Sequence, residues 1–466
     1  MHSWIRVKRL LALVVGLGWM LPTSGSEVGR AAIALHSTDH LSVPPYINAI
    51  TSDPAGRILF AASNTVVVFD GERFADFATG STLGGMLAIL LDCEGPCRSA
   101  NAEGTTGMPA GSRLYAPTSN RLGYFEAGAS GRPGNYVDIT AAVPDEFRQF
   151  QDVHKIVRLG DAIWFKFFMH VLVLHADGSA SGWHDPLINK GAFVHDGHLH
   201  VVSRQQGLLS LRLDGREVVA TPVAGGEAMS TRGGAVAAEL DDGSSLVIAA
   251  RGIWRLSGAG LVELDSPLLA SLERMAPTAA VALRDGHVAL ATQRDGVHVI
   301  DRQGHPREHY GTASGLPTPA ARSLFEDADH GLWVGMTAML ARIDRRSGMT
   351  HFGAEQGLDG VARLLRHQGR MLAASASGLF ELVPGDAPKP ARFELREPER
   401  PAITDSVSAG DWLWLSSGNL FRTRFDDQGA LQPLQRIDGL RQVRALTASR
   451  FHEDRIYVSG PGALFV

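Results

Sequence analysis

Three histidines within six residues form the most metal-like pattern in the sequence. His195, His198 and His200 occur in the segment HDGHLH. Side chains two residues apart on a β-strand point to the same face, so His198 and His200 could reach a common ion. However, Asp196-Gly197 is a typical hairpin dipeptide, and the sequence positions no further ligand beside it. The sequence therefore favours a structural turn, and we predict no metal site and no cofactor.

A second group of polar residues has the chemistry of a ligand-binding surface. They lie in or beside short segments that follow apolar runs, as in KFFMH, SRQQG, AARG and TQRDG. Arg and Gln offer several donors in fixed directions, which suit the hydroxyl and carboxylate groups of a sugar polymer. Solvated turns are the alternative explanation. The predicted ligand-binding residues are Lys166, His170, Arg204, Gln205, Arg251, Gln293 and Arg294.

The motifs of common enzyme classes are not found in the sequence. There is no Gly-x-Ser-x-Gly elbow, HExxH pair, phosphate-binding loop or dinucleotide fingerprint after a strand. The carboxylate pairs Asp241-Asp242 and Asp426-Asp427 fall in turn segments, where solvated side chains are usual. We therefore predict that the chain is not an enzyme. A lyase or quinoprotein, whose catalytic residues lie far apart in sequence, stays open as an alternative.

The two cysteines, Cys93 and Cys97, lie in the loop CEGPC. In an oxidising compartment they could close a small disulfide ring. Two free thiols without a function are the alternative. A metal or redox site is not favoured, because the sequence has no other cysteine to complete it. We predict the disulfide Cys93–Cys97.

These residues are positioned by a repeated unit of three strands. Residues 324–344 contain an apolar strand, a polar turn closed by Gly331, a second strand through Trp333, and a third strand after a break at Met336–Ala338. One such meander cannot bury both of its faces, so copies must pack together. Equivalent positions recur roughly every 44 residues, the range for one four-stranded propeller blade. They are Leu59, Tyr115, Trp164, His200, Val247, Ala289, Trp333, Leu372, Trp414 and Tyr457.

The repeats predict an all-β fold, with a seven-bladed β-propeller followed by an incomplete second propeller. Propellers usually close at four to eight blades, so ten units do not fit one ordinary ring. The predicted division is a signal peptide at 1–26, an N-terminal segment at 27–44 that adds an outer strand to a later blade, the seven-bladed propeller at 45–351, and about three blades at 352–466. Eight plus two blades, or one ring of ten, also fit the spacing. The segment PLLASLERM from Pro267 is interpreted as a loop turn.

The first 26 residues are typical of an export signal. Arg6, Lys8 and Arg9 precede the apolar run LLALVVGLGWML, and small residues follow it. This run is too short for a comfortable membrane span, so a periplasmic location is expected. The formal net charge of −5 argues against nucleic acid or anionic lipid as the main partner.

Residues 311–344 carry a family resemblance. The segment GTASGLPTPAARSLFEDADHGLWVGMTAMLARID resembles the two-component regulator propeller repeat through Gly315-Leu316-Pro317, Asp327, residues 331–335 and Asp344. In that family, tandem seven-bladed propellers form the periplasmic sensor half of a receptor. A β-sandwich, a transmembrane helix and an output module, either a histidine kinase or a diguanylate cyclase, follow them. This chain ends before those parts, so the resemblance implies a truncated member.

The predicted function is ligand sensing for a transmembrane signalling receptor of two-component or cyclic-di-GMP type. The expected ligand is a small molecule or an oligosaccharide, and a homodimer is one expected assembly. Contact with the membrane would come only through the missing C-terminal region. A free-standing periplasmic scaffold for protein interactions and a propeller enzyme are the alternatives.

Overall fold

The computed structural model describes most of the chain in two compact units. The described residues are 27–38, 46–81, 85–93, 107–148, 150–230, 234–358, 360, 363–396 and 402–466, without the side chain of Lys190. The predicted signal peptide lies outside them. The first unit is Ala31–His351, and the second unit is Phe352–Val466 with the described residues up to Arg30.

The first unit contains seven four-stranded antiparallel sheets, and its first strand in the chain, β1 (Ala32–Ser37), belongs to the seventh of them. The first three sheets are β2 (Ile47–Ser52), β3 (Ile58–Ala62), β4 (Thr65–Phe69) and β5 (Phe74–Ala78); β6 (Leu90–Asp92), β7 (Arg113–Tyr115), β8 (Gly123–Ala127) and β9 (Pro133–Asp138); and β10 (Lys155–Leu159), β11 (Ala162–Lys166), β12 (His170–Leu174) and β13 (Ala180–His184).

The remaining four sheets continue in chain order, and the seventh takes β1 as its outer strand. They are β14 (Ile188–His195), β15 (His198–Ser203), β16 (Gly207–Asp214) and β17 (Glu217–Pro222); β18 (Val236–Glu239), β19 (Ser245–Ala249), β20 (Gly252–Ser257) and β21 (Gly260–Glu263); β22 (Pro277–Ala282), β23 (Val288–Thr292), β24 (Val297–Ile300) and β25 (Pro306–Tyr310); and β26 (Ser323–Glu326), β27 (Gly331–Gly335) and β28 (Met339–Asp344) with β1.

The seven sheets of the first unit form a closed cycle. Each innermost strand contacts the innermost strand of the next sheet, and β26 of the seventh sheet contacts β2 of the first. The strand β1 pairs antiparallel with β28, from Ala32 opposite Asp344 to Ser37 opposite Met339. The predicted outer strand from the N-terminal segment is thus confirmed, and the unit begins at Ala31 instead of residue 45. Closure of this kind protects strand edges from pairing with other chains.

The core lies between neighbouring sheets. Strands β3, β19, β23 and β27 are buried along their whole length, as expected for strands that are covered on both faces. One apolar cluster joins the sixth and seventh sheets through Val299 and Leu332. Another joins the seventh and first sheets through Trp333 and Phe60. Each sheet therefore buries its faces only because its neighbours cover them.

The carboxylate of Asp327 explains the spacing of the repeat motif. Its Oδ1 accepts hydrogen bonds from the backbone N–H of Asp329 (2.9 Å) and Gly331 (2.7 Å). Its Oδ2 accepts from Trp333 Nε1 and Arg342 Nε, both at 2.8 Å. Although burial opposes ionisation, these bonds hold the pKa of Asp327 below its ordinary value. One side chain thus closes the turn between two strands and ties it to the third.

The segment after Pro267 corrects a prediction. The sequence predicts a loop turn here, but Leu269–Met275 form an α-helix, α1, between β21 and β22. Leu272 and Met275 are buried, and Leu272 joins the apolar cluster between the fifth and sixth sheets. The packing of this one apolar face stabilises a helix too short to form alone. Four 3₁₀ turns also lie in this unit: Thr140–Ala142, Asp145–Phe147, Gly226–Met229 and Thr312–Ser314.

The second unit contains three sheets. A 3₁₀ turn at Ala354–Gln356 precedes them. Their strands are β29 (Arg363–His367), β30 (Arg370–Ser375), β31 (Gly378–Val383) and β32 (Arg392–Leu395); β33 (Asp405–Ala409), β34 (Trp412–Thr423) and β35 (Gln435–Val443); and β36 (Ala445–Ala448), β37 (Ile456–Gly460) and β38 (Ala463–Phe465). Across both units, all ten repeat positions lie on the second strand of a sheet, as predicted. In the described part of the chain, no helix combines the length and the apolar character that a membrane crossing requires.

Candidate ligand-binding site

The turns between second and third strands lie beside the connections that join successive sheets. The backbone N–H of Arg204, in the β15–β16 turn, donates to Leu187 O at 2.8 Å. Likewise, Gln293 N, in the β23–β24 turn, donates to Ala276 O at 2.9 Å. We call the side of the first unit that carries these turns and connections the turn face. The binding residues predicted from the sequence lie on this face or next to it.

A cavity of about 500 Å³ opens on the turn face at the third sheet. One wall is the connection between β9 and β10, and the other wall is the β11–β12 turn with the end of β13. Its volume is within the usual range for small-ligand sites. The lining residues are Glu146, Phe147, Phe150, Gln151, Phe167, Phe168, Met169, His170 and His184.

Aromatic rings dominate this cavity. Phe150 and Phe167 are buried, with ring centroids 4.8 Å apart, and form its base. Phe168 and Met169 stay 40 % and 41 % exposed at the tip of the turn. Adjacent exposed apolar side chains at a concave surface are typical of a binding site, because their exposure otherwise costs free energy. The cavity can therefore take a ligand with an apolar face.

Lys166 lies beneath the turn that forms one wall. Its side chain is fully buried, and its ammonium group donates to the carbonyl oxygen of Phe167 and, at 3.2 Å, to that of Phe168. Burial lowers the pKa of Lys166 to about 7. Lys166 does not line the cavity. Its role in this structure is to hold the conformation of the turn that presents Phe168.

His170 lines the cavity directly. Its ring stacks on Phe167, with centroids 4.4 Å apart and planes at 16°. Its Nε2 is buried and has no hydrogen-bond partner. Burial, together with the nearby His184 and Lys166, lowers the pKa of His170 to about 4, so the ring is neutral at pH 7. A buried nitrogen without a partner favours a ligand that supplies one.

The other predicted ligand residues lie on the turn face but outside this cavity. The side chains of Arg204, Gln205, Arg251 and Arg294 are exposed, and Gln293 is half-buried. Arg251 pairs with Glu273 at 3.3 Å, an exposed contact of small energetic value. The structure therefore brings His170, but not this second set, to the cavity.

Sequence reasoning missed the aromatic residues of the site. A signal was present, because DEFRQF at 145–150 and FKFFMH at 165–170 concentrate five phenylalanines in two short segments. Their meeting depends on the path of the connection between the second and third sheets. That path is a tertiary feature.

The HDGHLH segment forms a structural turn, as predicted. Asp196 and Gly197 both have positive φ, 47° and 68°, and join β14 to β15. His195 Nδ1 lies 3.0 Å from Ser245 Oγ, and the ring of His200 stacks on Phe193. Burial lowers the pKa of His200 to about 4. These histidines therefore pack between sheets.

Cys93 is half-buried at the end of β6, beside the apolar cluster of the first and second sheets. It takes part in a disulfide. Its predicted partner, Cys97, lies outside the described residues, so the pairing stays a prediction.

Known proteins resemble this chain in fold. No protein-family model matches it, and no curated protein matches it. The extracellular domain of a hybrid two-component system of B. thetaiotaomicron matches with a TM-score of 0.63 and 16 % identity, over 93 % of this chain and 59 % of that one. This chain has a β-propeller fold. The predicted all-β propeller class is thus confirmed, and the chain spans about 59 % of the length of that neighbour.

Two further structures are similar at a lower level. The extracellular domain of a second hybrid two-component system of the same organism has a TM-score of 0.47 and 13 % identity, over 94 % of this chain and 58 % of that one. Streptogramin B lyase has a TM-score of 0.49 and 14 % identity, over 67 % of this propeller chain and 97 % of the lyase.

Proposed function

We propose that this propeller protein is the exported, ligand-sensing region of a signalling receptor and binds a small molecule or oligosaccharide in the turn-face cavity. The aromatic cavity around Phe168 and His170 carries the proposal. The fold likeness to the extracellular domain of a two-component system supports the receptor setting. In this proposal the chain binds its ligand and does not transform it.

The lining of the cavity matches the chemistry of a sugar. A pyranose ring has an apolar face of C–H groups and an edge of hydroxyls. Phe147, Phe168 and Met169 offer apolar surface, while His170, His184 and Glu146 offer hydrogen-bonding groups. Few polar groups within an aromatic lining are the usual arrangement of a specific small-ligand site.

Ligand binding at this position would couple two parts of the fold. The wall with Phe147 and Phe150 precedes β10, whereas the wall with Phe168 follows β11. A ligand that touches both walls stabilises the arrangement in which they are close, and shifts the population toward it. This gives the sensor a structural change that a receptor could transmit.

The experiment is a binding screen with a matched pair of variants. Neutral and uronic-acid-containing oligosaccharides are tested by thermal shift, and any hit is measured by calorimetry. Phe168→Ala should weaken binding about tenfold or more, since loss of an aromatic contact at a binding site typically costs over 1 kcal/mol. Phe451→Ala, at a phenylalanine 90 % exposed in the second unit, is the control and should leave affinity unchanged. Oligosaccharide binding that is insensitive to Phe168→Ala, or no binding by any member of the screen, would overturn the proposal.

A further inference from the structure

The sixth sheet places one carboxylate and two imidazoles together. Asp295 lies in the β23–β24 turn, His298 on β24 and His309 on β25. One ligand atom from each of these residues lies within 4.8 Å of the other two. His298 and His309 are directly opposite each other in the antiparallel register, so their side chains project from the same face. The sequence separates them by a whole hairpin, which is why spacing alone did not show the cluster.

The distances match those between ligands of one metal ion. Asp295 Oδ2 is 3.1 Å from His298 Nε2, and Asp295 Oδ1 is 3.5 Å from His309 Nε2. Ligands at about 2.0–2.2 Å from a tetrahedral zinc ion are separated from one another by about 3.3–3.5 Å. The two imidazole rings stack, with centroids 4.4 Å apart and planes at 23°. A small ion could therefore be bound with little movement of these side chains.

The turn that carries Asp295 is held by its own hydrogen bonds. The backbone N–H of Asp295 donates to Thr292 Oγ1 at 2.9 Å, and Thr292 Oγ1 donates to Gly296 O at 2.9 Å. Gly296 has a φ of +66°, and a Cβ there would lie 2.1 Å from Tyr310 O. No other residue fits that position without moving β25. The turn is therefore preorganised, which is a requirement of a specific metal site.

The burial of the cluster also suits a metal. The side chain of His298 is 8 % exposed, so the surrounding side chains hold its imidazole in a fixed orientation. Asp295 and His309 are 45 % and 35 % exposed, which gives an ion access from solvent. His309 Nε2 also lies 2.9 Å from the backbone oxygen of Asp295, a contact that a bound ion would replace.

We propose that Asp295, His298 and His309 form a binding site for a divalent transition ion of the Zn²⁺ type. Two imidazoles and one carboxylate favour zinc and its neighbours over Ca²⁺ or Mg²⁺, which prefer all-oxygen ligands. Three protein ligands leave a fourth position for water or for a hydroxyl or carboxylate of a bound ligand. This site is on the turn face but separate from the aromatic cavity, and it does not depend on the proposed sensing function.

The test measures metal binding by the purified chain, first stripped with a chelator. Calorimetry with ZnCl₂ should show one site, and Co²⁺ should give the visible absorption of a tetrahedral complex with nitrogen and oxygen ligands. His309→Ala and Asp295→Asn should each weaken Zn²⁺ binding at least tenfold, since even loss of an outer-shell partner costs tenfold or more. Circular dichroism checks that each variant is folded. Because His309 is partly exposed, its replacement should leave the fold intact.

His305→Ala is the matched control. His305 lies in the same hairpin and pairs with Asp301 at 3.3 Å, but the two do not belong to the three-residue cluster. This variant should keep the wild-type affinity for Zn²⁺. The proposal is overturned if the wild type binds no Zn²⁺, if Ca²⁺ binds equally well, or if His305→Ala reduces binding as much as His309→Ala does. The first of these results would identify the cluster as a hydrogen-bonded group only.

Discussion

Replacing Asp327 with Asn tests how the repeat motif stabilises a blade. Asn has a single side-chain oxygen, so it can serve either the two backbone amides or the two side-chain donors of this site, but not both. If this oxygen accepts from the two backbone amides of the turn, the amide NH₂ faces Trp333 Nε1 and Arg342 Nε, which are themselves donors. Both hydrogen bonds that Asp327 Oδ2 accepts in the wild type would then be lost.

The expected loss follows from the contacts. Each bond to an ionised carboxylate contributes about 1.5–3 kcal/mol, which gives an upper range of about 3–6 kcal/mol for the pair. The Arg342 side chain is 27 % exposed, so water replaces part of its loss, whereas Asp327 is 14 % exposed. We therefore expect Asp327→Asn to reduce the free energy of unfolding by about 3 kcal/mol. Urea unfolding followed by tryptophan fluorescence measures this change.

Asp426→Asn is the matched control. Asp426 Oδ1 accepts from the backbone N–H of Gln428 and Ala430, both at 2.9 Å, with the same spacing as at Asp327. Its other oxygen has no donor among the described residues, so the substitution should cost under about 0.5 kcal/mol. If the two variants differ by less than about 1 kcal/mol, the side-chain bonds of Asp327 do not stabilise the sheet as argued.

The stability difference between wild type and Asp327→Asn should depend on pH. Because the pKa of Asp327 is lowered in the folded state, its stabilisation is complete above the ordinary value of 3.8 and declines as the pH falls through the lowered value. The difference between wild type and Asp327→Asn should therefore shrink below about pH 4. A constant difference down to that pH and below would contradict a role for the charge.

Two further predictions concern buried bases. The folded-state pKa of Lys166 is about 7 and its ordinary value is 10.5, so wild-type stability should rise between pH 7 and pH 10.5, by up to about 5 kcal/mol. Lys166→Met should remove this rise in urea unfolding. The pKa of His200 is about 4, below its ordinary 6.5, so the stability that its neutral ring contributes is complete above pH 6.5 and is lost as the pH falls toward 4. His200→Gln should reduce that loss of stability by up to about 3 kcal/mol. An unchanged dependence of stability on pH would exclude the lowered pKa of His200.

Local chemistry made the repeat visible in the sequence. The turn at Asp327 is built from contacts within four residues, and its second oxygen accepts from Trp333 on the next strand and from Arg342 on the strand after that. Because this turn spacing recurs from one repeat to the next, the sequence predicted the positions of all ten second strands. The residues of helix α1 favour a helix locally, but seven residues are too few to form one without the burial of Leu272 and Met275, which the sequence did not reveal.

The candidate ligand-binding cavity forms through contacts between distant segments, which no local sequence pattern predicts. The cavity forms where the connection carrying Phe147 meets the turn carrying Phe168. Five of the polar residues predicted to bind ligand lie at the fourth, fifth and sixth sheets instead: Arg204, Gln205, Arg251, Gln293 and Arg294. The cluster of Asp295, His298 and His309 likewise needs the register of one hairpin to bring its two histidines opposite each other.

The sequence by itself determined the β class, the period and the turn chemistry, because these depend on interactions between residues close in the chain. Tertiary structure alone decided how the first unit closes: Ser323 Oγ donates to Ile47 O at 2.9 Å across 276 residues, and β1 pairs with β28. It also decided which side chains meet on the turn face. Closure and binding both depend on which distant segments pack together. The free energy of that packing is a sum over all the sheets of the ring, so no short segment of sequence determines it.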